Sequence, residues 1–150
     1  MPTSGTSGKK PSNKTVITPI EKTTTINAGI DDVWAALTDP AAIGSWMEDD
    51  EVKVSLKKGG KYVLFAGSTT GKFIEIEKPK VLEYTWRMND WDKDTPDTMV
   101  RWELAPSGKK ARVSLKHSGF VDKEMRDSHD EGWDEYFLEP MRGWLESNKK

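Results

Sequence analysis

Few side chains in this sequence are suited to acid–base chemistry. His117 stands directly before Ser118, while Glu75 and Tyr84 lie on stretches whose residues alternate as in strands. A general acid or base needs a fixed position beside the substrate and a tuned pKa. Two neighbours in sequence do not by themselves give a nucleophile and its base that geometry. We therefore assign no catalytic residue, and the sequence favours a protein that is not an enzyme without excluding one.

A second pattern is similar to a calcium-binding loop. Asp90, Asp92 and Asp94 alternate along the chain, as the first acids of such a loop do. The sixth position holds Thr95 where the loop needs glycine, and the twelfth holds Arg101 where it needs glutamate. The chain also has no cysteine, which excludes thiolate metal sites and disulfides. We expect neither a metal nor a cofactor, and an exposed hairpin loop over residues 88–97.

Large aromatic side chains are the more informative feature. The 150 residues include seven Trp, three Tyr and four Phe, in a chain that is only 35% apolar and 32% charged. Such rings bury well but keep an N–H or O–H that needs a partner, so they suit a cavity wall as well as an ordinary core. Met88 and Trp91 stand among charges in the 88–97 loop and are predicted to form a lid over a cavity mouth. The alternative is that Trp91 packs back onto its own hairpin.

Composition and charge restrict the class of protein. A chain of this length is typical of one domain, and we predict a domain over residues 15–150 after a polar, disordered tail over residues 1–14. The net charge of −2 and the isoelectric point of about 5.8 give no basic footprint for nucleic acid. No stretch is long and apolar enough for a membrane span, and the first residues lack the apolar segment of a signal peptide. We expect a cytoplasmic monomer.

The periodicity of apolar residues predicts the order of elements. A strand is expected between residues 15 and 26, followed by a helix from about residue 31 and a short second helix from Pro40. From Val52 onward the period is two, and short turns separate the predicted strands, which gives an antiparallel meander. These strands are 61–66, 71–77, 81–87, 98–104 and 111–117. A long amphipathic helix is expected from about 124 to 147, with a kink at Pro140.

One face of the predicted sheet is apolar and aromatic, and the last helix is the expected cover. On the predicted strands 61–66 and 71–77, a shift of one residue would turn Val63, Phe65 and Phe73 to this face instead of the residues that we assign to it. The same side chains would fill a dry core if no cavity exists. His117 and the Tyr84 hydroxyl are expected to orient a ligand. The alternative for His117 is a histidine at the rim that bonds to the backbone or caps the turn. His129 is expected to be a solvated surface residue. The predicted ligand-binding residues are Leu64, Ile74, Ile76, Leu82, Tyr84, Trp86, Val100, Trp102, Val113, Leu115, His117, Trp133, Phe137 and Met141.

Several segments carry a resemblance to a known family. They are residues 28–40 with Trp46, residues 71–79, residues 82–86, residues 115–120, and the pair Gly132 and Trp133. In this order they resemble the START-like, or SRPBCC, superfamily, and within it the homologues of the activator of heat-shock protein 90 ATPase. The resemblance implies the α+β helix-grip fold, in which a curved antiparallel sheet of six to seven strands, two short helices and a long C-terminal helix enclose a cavity. Pro140 departs from it, because an unbroken helix is expected there.

The resemblance leaves several functions open, since the superfamily includes ligand carriers, cyclases, receptors and chaperone activators. We expect non-enzymatic binding of a small hydrophobic or aromatic ligand, such as a lipid, flavonoid or polyketide-like molecule, between the sheet and the last helix. One alternative is a protein-interaction module that activates a chaperone ATPase, with the acidic residues 48–51 and the Trp91 loop as its surface. Another is a polyketide cyclase or aromatase, or a drug-sequestering resistance protein.

Overall fold

A computed structural model describes residues 17–147, in which seven strands form one antiparallel sheet. Six of the strands follow one another as a meander, and the first strand pairs with the last, so the spatial order is β1-β7-β6-β5-β4-β3-β2. This order agrees with the predicted strand, helices and meander. The strands are β1 (Ile20–Ile26), β2 (Lys53–Val54), β3 (Lys61–Leu64), β4 (Thr69–Glu77), β5 (Val81–Met88), β6 (Thr98–Ser107) and β7 (Lys110–Ser118).

The helices lie between β1 and β2 and after β7. α1 (Ile30–Thr38) and α2 (Pro40–Met47) join at Asp39, whose carboxylate accepts a hydrogen bond from the Ala41 N–H and caps α2. From Lys123 the chain is helical to the end of the described residues. This long helix consists of α3 (Lys123–Gly132), a π-helical segment (Trp133–Leu138) and α4 (Glu139–Ser147).

The core lies between the sheet and the helices. Alternate residues of β5, β6 and β7 point to this side, because successive side chains of a strand face opposite ways. Trp46 of α2 is buried there, and its indole N–H donates to the Ala36 carbonyl. The α+β helix-grip arrangement implied by the sequence is the one observed. No helix within residues 17–147 is long and apolar enough to cross a membrane.

The strand predicted over residues 61–66 ends early. β3 stops at Leu64, and Phe65, Ala66 and Gly67 then adopt positive φ angles of 53°, 55° and 94°. Positive φ is unusual for residues with a Cβ. The Asp49 carboxylate holds this turn by accepting from the Ala66 N–H at 2.9 Å. Strand parity therefore does not apply to Phe65, and its ring leaves the direction that an extended strand would give it.

The prediction that Ile74 points into the protein is wrong. Phe73 pairs with Tyr84 and Glu75 with Glu83, so one extra residue lies between the two pairs as a β-bulge. The bulge inverts the alternation, with the result that Phe73 is 3% exposed and Ile74 is 39% exposed. Ile76, beyond the bulge, is half-buried against the core.

Pro140 does not break the long helix. Glu139 keeps helical φ and ψ angles of −67° and −46°, and α4 continues past the proline to Ser147. The irregularity lies just before it, in the π-helical segment, where the helix is wider than an α-helix. A proline nitrogen has no hydrogen to donate to the Tyr136 carbonyl, so the local hydrogen-bond pattern has to differ here. The irregularity associated with Pro140 thus takes the form of a π-helical turn directly before it.

The tail predicted over residues 1–14 lies outside the described residues.

Candidate ligand-binding pocket

A pocket of about 370 Å³ opens at one end of the interface between the sheet and the long helix. Three parts of the chain form it: the turn after β3, the end of β5, and the long helix from α3 into the π-helical segment. Five of its ten lining residues are aromatic. The lining residues are Phe65, Ser68, Trp86, Met88, Ser128, His129, Gly132, Trp133, Tyr136 and Phe137.

Local structure explains why these side chains meet. Trp86 and Met88 are two residues apart on β5, so they share the face that looks toward the helix. Phe65 reaches the same space from its left-handed turn. Residues one turn apart on a helix share a face, and the π-helical segment brings Trp133 and Phe137 inward while Tyr136 stays 58% exposed at the rim. Strained turns and π-helical segments are both over-represented at functional sites.

Three closely packed aromatic rings, tilted against one another, form the floor of the pocket. The ring centroids of Trp86 and Trp133 lie 4.9 Å apart, and those of Trp133 and Phe137 4.8 Å apart. All three side chains are almost fully buried. Trp102 lies behind them in the core, with its centroid 5.7 Å from Trp133 and 5.4 Å from Phe137. The floor is therefore a rigid aromatic surface with a packed core behind it.

His117 lies in the core behind this floor and is not free for a ligand. It is fully buried, and its Nδ1 accepts a hydrogen bond from the Trp133 indole N–H at 2.9 Å. Its Nε2 therefore carries the proton and donates to the Thr98 hydroxyl at 2.7 Å. That hydroxyl in turn donates to the Trp86 carbonyl at 2.9 Å. His117 thus positions Trp133 and Trp86, and the prediction that it orients a ligand is wrong because both of its nitrogens have protein partners.

His129 is also placed differently from the prediction. It is half-buried, and its Nε2 accepts from the Trp86 indole N–H at 3.2 Å while its Nδ1 donates to the Met125 carbonyl at 3.0 Å. Its ring lies 5.3 Å from that of His117. The acids next to it in sequence suggested a solvated residue. A helix turns by about 100° per residue, however, and this turn brings His129 onto the same side as Met125 and Trp133.

Both histidines are held in the neutral form. Burial, with a further contribution from nearby His129, lowers the pKa of His117 to about 2. Burial also lowers the pKa of His129, against the opposing effects of the Met125 carbonyl and of Asp90. A proton on the accepting nitrogen of either ring would break its bond from an indole N–H. The geometry of the two pocket tryptophans therefore depends on two neutral histidines.

The structure separates the residues predicted to bind a ligand into two groups. Trp86, Trp133, Phe137 and the predicted lid residue Met88 line the pocket. Apart from Ile74 and Ile76, the others belong to a packed core and do not line it. The Tyr84 hydroxyl, for example, was expected to orient a ligand but accepts from the Trp102 indole N–H at 2.9 Å. These core residues are Leu64, Leu82, Tyr84, Val100, Trp102, Val113, Leu115, His117 and Met141.

Sequence reasoning missed the rim of the pocket. Ser128, Gly132 and Tyr136 are spaced by four residues, a spacing that puts them on one helix face and was visible in the sequence. Phe65 and Ser68 carried no comparable signal, because the left-handed turn that directs Phe65 is not apparent from residue types.

Trp91 lies beside the pocket without lining it. Its ring centroid is 6.0 Å from that of His129, and the Arg87 guanidinium lies 5.9 Å from the same ring. Arg87 also donates to the carbonyls of Thr95 and Asp92, which fixes the loop. Trp91 therefore contacts both its own hairpin and α3.

Comparison with known proteins agrees with this architecture. The sequence model of the family described as "Activator of Hsp90 ATPase homolog 1-like protein" matches residues 27–146. The chain belongs to this family. The match spans all the elements that build the pocket, and it confirms the resemblance noted from the sequence.

Members and structural neighbours of the family are similar along most of the described chain. "Uncharacterized protein C1711.08" of Schizosaccharomyces pombe is 28% identical over 140 residues, which are 93% of this chain and 40% of that protein. This chain thus spans only about two fifths of the length of that curated relative. CalU16 from Micromonospora echinospora is 27% identical with a TM-score of 0.71, over 87% of this chain and 76% of its own. PFC0360w, an HSP90 activator from Plasmodium falciparum, is 24% identical with a TM-score of 0.77, over 85% of this chain and 96% of its own. It shows the shared fold.

Proposed function

We propose that this family member binds a small, largely apolar aromatic molecule in the pocket between β5 and the long helix. The observation that carries the proposal is a pocket of about 370 Å³ with a floor of closely packed aromatic rings. This volume lies within the range of about 300–1,000 Å³ that is usual for small-molecule sites, which are lined mainly by apolar side chains.

The polar groups of the lining support the same proposal. The indole N–H groups of Trp86 and Trp133 are already bonded to histidines, so the floor offers no free donor. The Ser128 and Tyr136 hydroxyls lie at the exposed rim instead. A ligand would bury its ring system on the floor and keep its polar groups at the mouth. The driving force is burial of apolar surface, at about 25 cal/mol per Å².

Gly132→Leu is the sharpest test of the pocket. A Cβ at Gly132 would meet only the Tyr136 ring at 3.9 Å, so the backbone tolerates a side chain that occupies the pocket. We expect the dissociation constant of a bound aromatic probe to rise at least about tenfold, which is about 1.4 kcal/mol. The free energy of unfolding should stay equal or rise by up to about 1 kcal/mol, because leucine favours a helix more than glycine. Probes are found by NMR titration with flavonoids, aromatic polyketides, sterols and fatty acids.

Gly143→Leu is the matched control for this test. Gly143 lies on the exposed side of α4, and a Cβ there would have no atom within 4 Å. It should gain the same helix stability and keep the affinity. Equal affinities of both variants would show that the probe binds elsewhere, and no saturable shift with the entire panel would contradict the proposed function.

Trp91 and Met88 are proposed as a lid on this pocket. Trp91 contacts His129, a lining residue, and Arg87 holds its loop through the carbonyls of Thr95 and Asp92. We expect Trp91→Ala to change the association rate constant of a probe by about threefold or more, while the melting temperature changes little. Stopped-flow fluorescence measures the rate. An unchanged rate together with a lower melting temperature would show that Trp91 only supports its hairpin.

Activation of a chaperone ATPase is the second candidate function, and the family match is the observation that favours it. The acidic residues 48–51 that the sequence offered as a surface are partly engaged within the chain, since Asp49 accepts from the N–H groups of Ala66 and Glu51. An assay of Hsp90 ATPase activity with and without this protein distinguishes the two functions. Stimulation that Gly132→Leu leaves intact would assign the activity to another surface.

A further inference from the structure

The mouth of the pocket has an unusual distribution of charge. None of the ten lining residues is Asp, Glu, Lys or Arg. His129, the one titratable lining group apart from Tyr136, accepts the Trp86 N–H and is therefore neutral at that nitrogen. An anion on the aromatic floor would lose its hydration without gaining a cation, which is costly.

Three parallel rows of side chains run along the long helix beside the pocket, and the middle row forms the rim. Ser128, Gly132 and Tyr136 follow one another at intervals of four and form the rim. The neighbouring row on the inner side, one residue further along the chain, is His129, Trp133 and Phe137, which face the core. On the outer side, three residues further along, the row is Glu131, Glu135 and Glu139. Residues three and four apart are neighbours on a helix surface, so this outer row of acids follows the rim.

The three glutamates form no salt bridge in the described part of the chain. All three are exposed, and none belongs to a salt bridge found within residues 17–147. The nearby cations have other partners, including Arg142, which lies three residues after Glu139 and donates to the Thr24 hydroxyl. Lys22 pairs with Asp130 and Asp134, and Arg126 pairs with Asp130 as well. The pocket mouth is therefore bordered by unpaired negative charge.

We propose that the pocket selects its ligand by charge, taking aromatic molecules that are neutral or cationic and rejecting carboxylates and other anions. This inference rests on the proposed function and adds the ligand class to it. Two physical effects both weaken the binding of an anion. The floor has no cation to compensate an anionic group that enters it and loses its hydration, and the row of glutamates repels an anionic group that stays at the mouth. Fatty acids are excluded on this basis, although an apolar pocket by itself would accept their chains.

Three probes of one shape test the proposal. They are 2-naphthamide, which is neutral, 2-naphthoate, which is anionic, and 2-naphthylmethylammonium, which is cationic. We expect naphthoate to bind at least about tenfold more weakly than naphthamide at low salt, and the cation to bind as tightly as naphthamide or more tightly. Added salt should reduce the difference in affinity between naphthoate and naphthamide only in part. Salt screens the charge of the exposed glutamates, but it does not remove the cost of desolvating the anion. Isothermal calorimetry or indole NMR shifts give the affinities.

A charge reversal at the rim distinguishes the electrostatic effect of the glutamates from the effect of the pocket's shape. Glu135→Lys places a cation three residues from Gly132, and we expect it to improve naphthoate binding about threefold or more relative to naphthamide. Glu21→Lys is the matched control, since Glu21 is an exposed residue of β1 and the change in net charge is the same. A naphthoate affinity equal to that of naphthamide would overturn charge selection and leave the proposed function standing. If none of the three probes binds, both proposals fail for aromatic ligands of this size.

Discussion

Trp102→Ala is expected to lower the free energy of unfolding by about 3–5 kcal/mol, the usual cost of removing a large buried aromatic side chain. Trp102 is fully buried at the centre of the sheet, and its indole N–H donates to the Tyr84 hydroxyl at 2.9 Å. Its ring supports Trp133 and Phe137 from behind. Its loss leaves a cavity, an unpartnered hydroxyl and a floor without support. We therefore expect the variant to remain folded but to lose the binding of aromatic probes.

Urea denaturation followed by circular dichroism measures this loss. Trp91→Ala is the matched control, because Trp91 is only partly buried and its removal opens no cavity in the core. We expect that control to cost less than about 1 kcal/mol, in keeping with a small change in melting temperature. Tyr84→Phe isolates the hydrogen bond, and leaving the buried Trp102 N–H without a partner should cost about 1–3 kcal/mol. A loss below about 1.5 kcal/mol for Trp102→Ala would contradict a densely packed centre.

Acidification is expected to lower stability by about 1.4 kcal/mol per pH unit for each histidine that stays neutral in the folded protein. His117 has a pKa of about 2 when folded, against about 6.5 when unfolded. Below pH 6.5 the unfolded chain binds a proton that the folded protein does not, so unfolding is favoured. The stability that His117 contributes is therefore complete above about pH 6.5 and is lost progressively as the pH falls toward 2. The pKa of His129 is lowered too, so it acts in the same direction over a narrower range.

His117→Asn separates this effect from the titration of carboxylates. The asparagine oxygen can accept from Trp133, but the side chain does not titrate. The free energy of unfolding, measured between pH 4 and 6.5, should decrease less steeply with falling pH for this variant. The difference between the two slopes should be about 1.4 kcal/mol per pH unit. Because His117→Asn removes the Thr98 contact, its stability at pH 7 should be lower than that of the unsubstituted protein. Parallel curves for the two proteins would show that His117 is protonated in the fold.

Regular alternation is the part of this fold that local sequence determines. Tyr84, Trp86 and Trp102 face inward as predicted, because β5 and β6 pair without interruption and a strand's side-chain period is two. The long helix follows from its apolar stripe in the same way. The helix-grip arrangement follows from the order of the elements, since a one-sided sheet needs one amphipathic cover. The family resemblance in the sequence indicated the same arrangement.

Local irregularities are what the sequence did not reveal. Ile74 and Phe73 exchange faces because a bulge inserts one residue, and nothing in residues 71–77 marks its position. Phe65 turns into the pocket because two residues with a Cβ adopt positive φ, in a turn supported by Asp49 from a distant segment. The energetic cost of these conformations is offset by contacts that exist only after folding.

The pocket itself was decided by tertiary structure. The aromatic content of the sequence indicated rings between the sheet and the helix, and the sequence left open whether they would fill the space or enclose it. Trp102 and Tyr84 fill the centre because their polar atoms bond to each other there. Trp86 and Trp133 instead donate to His129 and His117, from segments 43 and 16 residues away. Residue types determined which side chains of the regular strands face inward, while contacts between remote segments decided where space remains among them.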